Sequence, residues 1–160
     1  MRVLVLTGPS GVGKTTLADL LHEQLPQWER HSIDQARAQG GGWPELSRTV
    51  RHLQADAILE SVALVPAYIK ALEQHTATHI AVDCDERMRQ QRLLDRGDVI
   101  KPRRVYPPWQ RDQTTRVDTT PGVTAGTAHA LLSDLGLLHP ETYETYGGAG
   151  AKVWRNSSPR

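Results

Sequence analysis

Apolar runs along the chain alternate with segments whose apolar residues recur at helical spacing. Residues 3–7 form a β-branched apolar run that predicts a buried strand, and a glycine-rich turn follows it. Beyond the turn, four leucines fall on one face of a predicted helix that Pro26 ends: Leu17, Leu20, Leu21 and Leu25. The pattern therefore opens with a strand, a glycine turn and an amphipathic helix.

The same alternation continues to about residue 137. Further strands are predicted at residues 29–34, 57–60, 79–83 and 116–118, with helical patterns between them. Asp85 is placed to cap the helix that runs to about Asp95, and a last helix is predicted at 124–135. Strands separated by helices imply right-handed crossovers, so we expect an α/β fold of three layers, with a parallel sheet between helices on both faces.

The chain is short enough for one domain. We place that domain at residues 1–137, with a charged, proline-containing loop at about 96–114 that reads as a flap or lid. Residues 138–160 lack periodicity and are expected to be a loosely docked or disordered tail.

Composition and charge exclude several classes of protein. The 160 residues carry 19 Lys and Arg against 18 Asp and Glu, a net charge of +1. The overall charge therefore gives no reason to expect binding to nucleic acid or to a membrane surface. No stretch approaches the roughly 20 apolar residues that span a bilayer. The single cysteine, Cys84, excludes an internal disulfide and favours a reducing, cytoplasmic location.

The strongest motif is the glycine turn after the first strand. Residues 8–15 match GxxxxGK[ST], in which backbone N–H groups surround phosphate oxygens, the lysine reaches the β- and γ-phosphates and the hydroxyl ligates Mg²⁺. We therefore predict an ATP and Mg²⁺ site. Its predicted nucleotide-binding residues are Gly8, Ser10, Gly11, Val12, Gly13, Lys14, Thr15 and Thr16.

Two acidic residues end predicted strands, at the edge of a parallel sheet where ligands bind. Asp34 ends the second strand, where a carboxylate could orient an acceptor hydroxyl and take its proton, although an acid at a strand exit also serves as a turn or helix cap. Glu60 closes the third strand in the Walker-B position, where it would hold the Mg²⁺ shell through water or else contact the substrate. The predicted metal residues are thus Thr15 and Glu60.

Arginines on the helix after the fourth strand form the next candidate group. Arg92 and Arg96 are four residues apart and share one helix face, from which they could neutralise charge on the transferred phosphoryl group. Arg87 and Arg89, on the same helix, are expected to face solvent. We predict Lys14, Asp34, Arg92 and Arg96 as the catalytic residues.

Together these motifs resemble the small kinases of the nucleoside-monophosphate, shikimate and chloramphenicol kinase superfamily. The resemblance covers residues 1 to about 137, and Arg92-x-x-x-Arg96 is similar to the arginine pair that opens the adenylate-kinase lid. It implies a five-stranded parallel sheet in the order 2-3-1-4-5, with the lid between the fourth and fifth strands. Residues 117–122 are similar to the loop that lines adenine, which implies that Thr119 and Pro121 contact the nucleotide, as Arg92 also would.

The sequence departs from this family at two places. Ser32 stands where shikimate-type kinases have the first acid of a DxD motif, and Glu60-Ser61 stands where adenylate kinases have Asp-Gly. These departures leave the acceptor unassigned.

The function predicted from the sequence is transfer of the ATP γ-phosphoryl group to a hydroxyl or phosphate of a small molecule. A nucleoside or nucleotide leads, and another metabolite or an antibiotic follows. A nucleic-acid kinase, acting at a 5′ end or a modified base, stays open because the flap region is basic. Residues 96–116 contain only two acidic residues, Asp98 and Asp112, but six basic ones: Arg96, Lys101, Arg103, Arg104, Arg111 and Arg116. A nucleotide-binding switch that is not a kinase is the remaining alternative.

Overall fold

The computed structural model describes residues 1–100, 115–138 and 152–154. Strands and helices alternate through most of it. In chain order the elements are β1 (Arg2–Thr7), α1 (Lys14–Gln24), β2 (Glu29–Ser32), α2 (Ile33–Ala38), α3 (Gly42–Arg51), β3 (Ala57–Ser61), α4 (Pro66–Leu72), β4 (Thr76–Asp83), α5 (Glu86–Asp95), β5 (Thr115–Asp118), α6 (Ala125–Asp134) and β6 (Lys152–Trp154).

The strands form one sheet in the order β2-β3-β1-β4-β5-β6. The first five are parallel and follow the predicted order 2-3-1-4-5, which is thereby confirmed. The sixth strand was not predicted: it runs antiparallel to β5, with Val153 opposite Val117. It lies in the segment 138–160 that was expected to be a loosely docked or disordered tail. The other residues of that segment beyond 138 are outside the described ranges, and so are residues 101–114 of the expected lid.

The sheet is covered on both faces, as its alternating side chains require. Along β1, Leu4 and Leu6 pack against α1 and α6, whereas Val3 and Val5 pack in a second core with α3 and α4. This two-sided burial explains why β1 reads as a continuous apolar run. Within the described ranges, no helix has the length and apolar character needed to cross a membrane, and the cytoplasmic location stays a prediction.

The second strand is shorter than predicted. It ends at Ser32, and α2 begins at Ile33, because Ser32 and Gln35 form a reciprocal capping box. The Ser32 Oγ accepts a hydrogen bond from Gln35 N at 3.1 Å, and Ser32 N donates to Gln35 Oε1 at 3.1 Å. Asp34 therefore lies in the first turn of a helix and not at the end of a strand.

Candidate functional site

The glycine motif forms a loop between β1 and α1 that packs closely against neighbouring elements. A Cβ on Gly8 would come within 2.2 Å of the Val82 carbonyl oxygen on β4. Gly11 has a φ of +87°, and a Cβ there would meet the Leu93 side chain at 2.9 Å. Any larger residue at either position would have to displace its neighbours, so space requires glycine at both, and the positive φ of Gly11 also favours glycine there.

Lys14 is the first residue of α1 and turns back across this loop. Its Nζ donates hydrogen bonds to Gly8 O at 2.7 Å and Pro9 O at 2.9 Å. Burial lowers the pKa of Lys14 from 10.5 to about 8, and the nearby carboxylates of Glu60 and Asp34 act in the opposite direction. The amine thus lies at the mouth of the loop, where a bound polyphosphate would meet it.

Thr15 and Glu60 meet at the ends of α1 and β3. The Thr15 hydroxyl donates to Glu60 Oε1 at 2.8 Å, and Glu60 is only 5% exposed. Its other oxygen, Oε2, accepts from Arg30 at 3.0 Å. The hydroxyl and carboxylate oxygens are the hard donors that Mg²⁺ prefers.

These two residues fit Mg²⁺ only in company with a nucleotide. The described part of the chain has no cluster of three or more His, Cys, Asp or Glu that could hold a metal. Mg²⁺ is commonly bound by one or two protein oxygens together with substrate phosphates, and Thr15 and Glu60 suit that arrangement.

A cleft joins the loop to the first turn of α2. Its lining residues are Ser10, Gly11, Gly13, Lys14, Thr15, Thr16, Ser32, Ile33, Asp34, Glu60, Ser61, Val62 and Arg96. The Asp34 side chain is 81% exposed, and its closest ionic contact is a 3.4 Å pair with Arg37 on the next turn. The cleft therefore brings a solvent-accessible carboxylate to the same space as Lys14 and Glu60.

The predicted arginine pair is divided between two places. Arg96 lines the cleft at the end of α5 and pairs with Asp98 at 2.8 Å. Arg92 instead donates to Thr119 O at 2.6 Å, to Thr119 Oγ1 at 3.1 Å and to Val12 O at 3.4 Å. In this arrangement Arg92 ties the glycine loop of residues 8–15, called the phosphate loop below, to the segment after β5. Its predicted contact with the transferred group therefore stays a prediction.

Thr119 belongs to the same junction. It is fully buried, its hydroxyl hydrogen-bonds Val12 O, and Asp83 O lies 3.1 Å away. Pro121, two residues on, is exposed. Their predicted contact with a nucleotide base stays a prediction, since the contacts present join Thr119 to the loop and to β4.

Arg89 contradicts the expectation that it faces solvent. Its side chain is 1% exposed and donates to Glu86 at 2.9 and 2.7 Å and to Ser10 O at 3.1 Å. Residue type suggested an exposed position, but Arg89 precedes the buried Leu93 by four residues and so shares its helix face. That spacing was the signal that could have identified it. Arg87 is exposed, as expected, and Asp85 caps α5 as predicted.

Comparison with known proteins assigns the family and the fold. A family model described as an AAA domain matches residues 1–146. A search of curated proteins found no match.

Several solved structures similar to this chain are named as kinases. A sugar kinase from a Janibacter species has a TM-score of 0.60 at 17% identity, over 86% of this chain and 95% of that one. A gluconokinase from Sinorhizobium meliloti has a TM-score of 0.57 at 17% identity, covering 84% and 92%. Shikimate kinase from Acinetobacter baumannii has a TM-score of 0.55 at 15% identity, covering 89% and 95%. The fold is therefore that of the small P-loop kinases, and the resemblance inferred from the motifs is confirmed.

Arg89→Met is expected to loosen the phosphate loop. The substitution keeps an apolar chain in the buried site but removes the donor to Ser10 O and leaves Glu86 without that partner. We expect the free energy of unfolding to fall by about 1–3 kcal/mol, with weaker binding of an ATP analogue. Arg87→Met, on the exposed side of α5, is the control and should change stability by no more than about 0.5 kcal/mol. Unchanged nucleotide affinity in folded Arg89→Met protein would contradict a role in shaping the loop.

The lowered pKa of Lys14 predicts a pH dependence of nucleotide binding. The protonated amine attracts phosphate, so affinity should be steady below the Lys14 pKa of about 8 and fall as pH rises through it. Titration of an ATP analogue from neutral to alkaline pH measures this. Lys14→Arg keeps its charge across that range because arginine stays protonated, so its affinity should lack the decline. An equal decline in both proteins would assign the effect to another group.

Proposed function

Since this chain belongs to the AAA domain family and has the fold of the small P-loop kinases, we propose that it is an ATP-dependent phosphotransferase. It transfers the γ-phosphoryl group of ATP to a small-molecule acceptor. The observation that carries this proposal is the cleft shared by Lys14, the Thr15–Glu60 pair and Asp34. Lys14, Thr15 and Glu60 suit a nucleotide with its cation, and Asp34 suits the acceptor.

The roles of the residues follow from their positions. The loop N–H groups and Lys14 bind the β- and γ-phosphates, and Thr15 with Glu60 would hold Mg²⁺ against them. The bound ion would supply neutralisation of phosphate charge. Asp34, exposed to the cleft, orients the acceptor hydroxyl and accepts its proton as the new phosphate bond forms. Arg96 lies at the cleft and stabilises the charge that develops on the transferred oxygens.

The acceptor is a small molecule that carries a hydroxyl group. Three of the structurally similar proteins are named as a sugar kinase, a gluconokinase and a shikimate kinase, which supports this class. The acceptor end of the cleft includes the polar residues Ser32, Asp34 and Ser61. A nucleoside or nucleotide was the acceptor predicted first from the sequence. Both are among the acceptors of the assay below, as are other metabolites and antibiotics.

A transfer assay with labelled ATP tests the function. Nucleosides, nucleotides, sugars, sugar acids, hydroxylated antibiotics and an oligonucleotide with a free 5′ hydroxyl serve as acceptors. We expect the protein to label a small molecule and Lys14→Ala to lower the rate by about 10²–10³ or more, because one charge contact to the transition state is lost.

Other outcomes of this assay would select the alternatives. Labelling of the oligonucleotide alone, with affinity falling by a log–log salt slope of about −0.7 per phosphate contact, would indicate a nucleic-acid kinase. Nucleotide binding without transfer to any acceptor would favour a switch. Full activity in folded Lys14→Ala protein would overturn the site assignment.

Asp34→Asn should keep ATP binding while losing turnover. The amide preserves shape but cannot accept the proton, so we expect kcat to fall by about 10²–10⁴. Arg37→Gln is the matched control, since both changes remove the 34–37 ion pair but only the first removes the carboxylate. Steady-state kinetics and analogue titration measure the two effects. Equal kcat values for Asp34→Asn and Arg37→Gln would contradict a role of Asp34 as the general base and leave it only a place in the first turn of α2.

A further inference from the structure

Arg30 on β2 lies between two acidic residues near the nucleotide end of the site. One guanidinium nitrogen contacts Glu60 Oε2 at 3.0 Å, and another pairs with Asp19 on α1. In the parallel register Ser32 is opposite Glu60, so Arg30 lies two residues before that point on the neighbouring strand. The arginine therefore links β2 to both β3 and α1.

The two oxygens of Glu60 have separate partners. Oε1 accepts from the Thr15 hydroxyl at 2.8 Å, and Oε2 accepts from Arg30. With both oxygens held, the side chain has one orientation. Because the Thr15 hydroxyl donates its hydrogen bond to Glu60, the lone pairs of its oxygen are left for a cation.

Burial makes the charge of Arg30 important to Glu60, together with that of the nearby Lys14. Glu60 is 5% exposed, and a buried carboxylate without a counter-charge is costly. Glutamate also has one more rotatable bond than the aspartate more usual at a Walker-B position, so it has more freedom to lose. Asp19 pairs with a different guanidinium nitrogen of Arg30, which limits the movement of the arginine itself.

We propose that Arg30 is a positioning residue, which sets the Glu60 carboxylate and through it the Thr15 hydroxyl for binding Mg²⁺ with a nucleotide. Arg30 does not line the cleft, so it acts through Glu60 and not on the substrate. This inference rests on the proposed function, because it assumes that the loop binds a nucleotide with its cation.

A purely structural salt bridge would behave differently. Loss of such a pair would lower the free energy of unfolding but leave the benefit of Mg²⁺ for nucleotide binding unchanged. The measurable quantity is therefore the ratio of affinities for a non-hydrolysable ATP analogue with Mg²⁺ and with EDTA. It needs no acceptor and no turnover.

The experiment compares Arg30→Met, Arg30→Lys and Glu60→Gln with the unaltered protein, by calorimetric titration. Arg30→Met should reduce the Mg²⁺-dependent gain by about tenfold, the equivalent of one hydrogen bond to a charged group. Arg30→Lys, which keeps the charge but not the two-sided contact, should give an intermediate gain. Arg48→Met, which removes an exposed pair with Glu45 on α3, is the control and should retain the full gain.

A double-mutant cycle tests the route. If Arg30 acts through Glu60, Arg30→Met should have little further effect on the gain in a Glu60→Gln background. An unchanged gain in Arg30→Met, or an equal loss with and without Glu60, would overturn the proposal. Should Arg30→Met fail to fold, Arg30→Lys decides: an intermediate gain supports the proposal and a full gain overturns it. If the unaltered protein binds no nucleotide, the proposed function fails together with this inference. If it binds a nucleotide and only the predicted effect of Arg30 is absent, this inference alone fails.

Discussion

The phosphate loop depends on donors for its carbonyl oxygens. When a loop turns N–H groups inward around a phosphate, its carbonyl groups need partners elsewhere, since unpaired buried backbone groups are costly. Lys14 donates hydrogen bonds to the carbonyl oxygens of Gly8 and Pro9, and Arg89 donates one to that of Ser10. The Val12 carbonyl is shared by Thr119 and Arg92. The loop is thus held from α1, α5 and the segment after β5.

This constraint explains why arginines of one helix have different tasks. Arg89 is buried beneath the loop, Arg92 reaches across to Thr119, and Arg96 remains at the cleft. Of these three, only Arg96 lines the cleft in which we propose that transfer takes place. Glu60 likewise depends on its partners: burial of its carboxylate is tolerated because Thr15 and Arg30 each donate a hydrogen bond to one of its oxygens.

Much of the fold and part of the site could be predicted from local pattern. The loop at residues 8–15 has its own spacing, and its flanking strand and helix follow from apolar periodicity. Glu60 was placed correctly at the end of a strand. Asp34 was placed at a strand end because residues 29–34 were predicted as one strand, whereas the capping box of Ser32 and Gln35 started a helix one residue before Asp34. The strand order came from resemblance and not from periodicity.

The sequence by itself determined the phosphate loop, the alternation of strands and helices and the position of Glu60 near the end of a strand, because each depends on residues close together in the chain. Tertiary structure alone decided the partners of Arg30, Arg89 and Arg92, and it added β6 beside β5. These contacts join residues far apart in the chain. An arginine's type and helical spacing describe its own element, but its function depends on which carbonyl or carboxylate the fold brings within hydrogen-bonding distance.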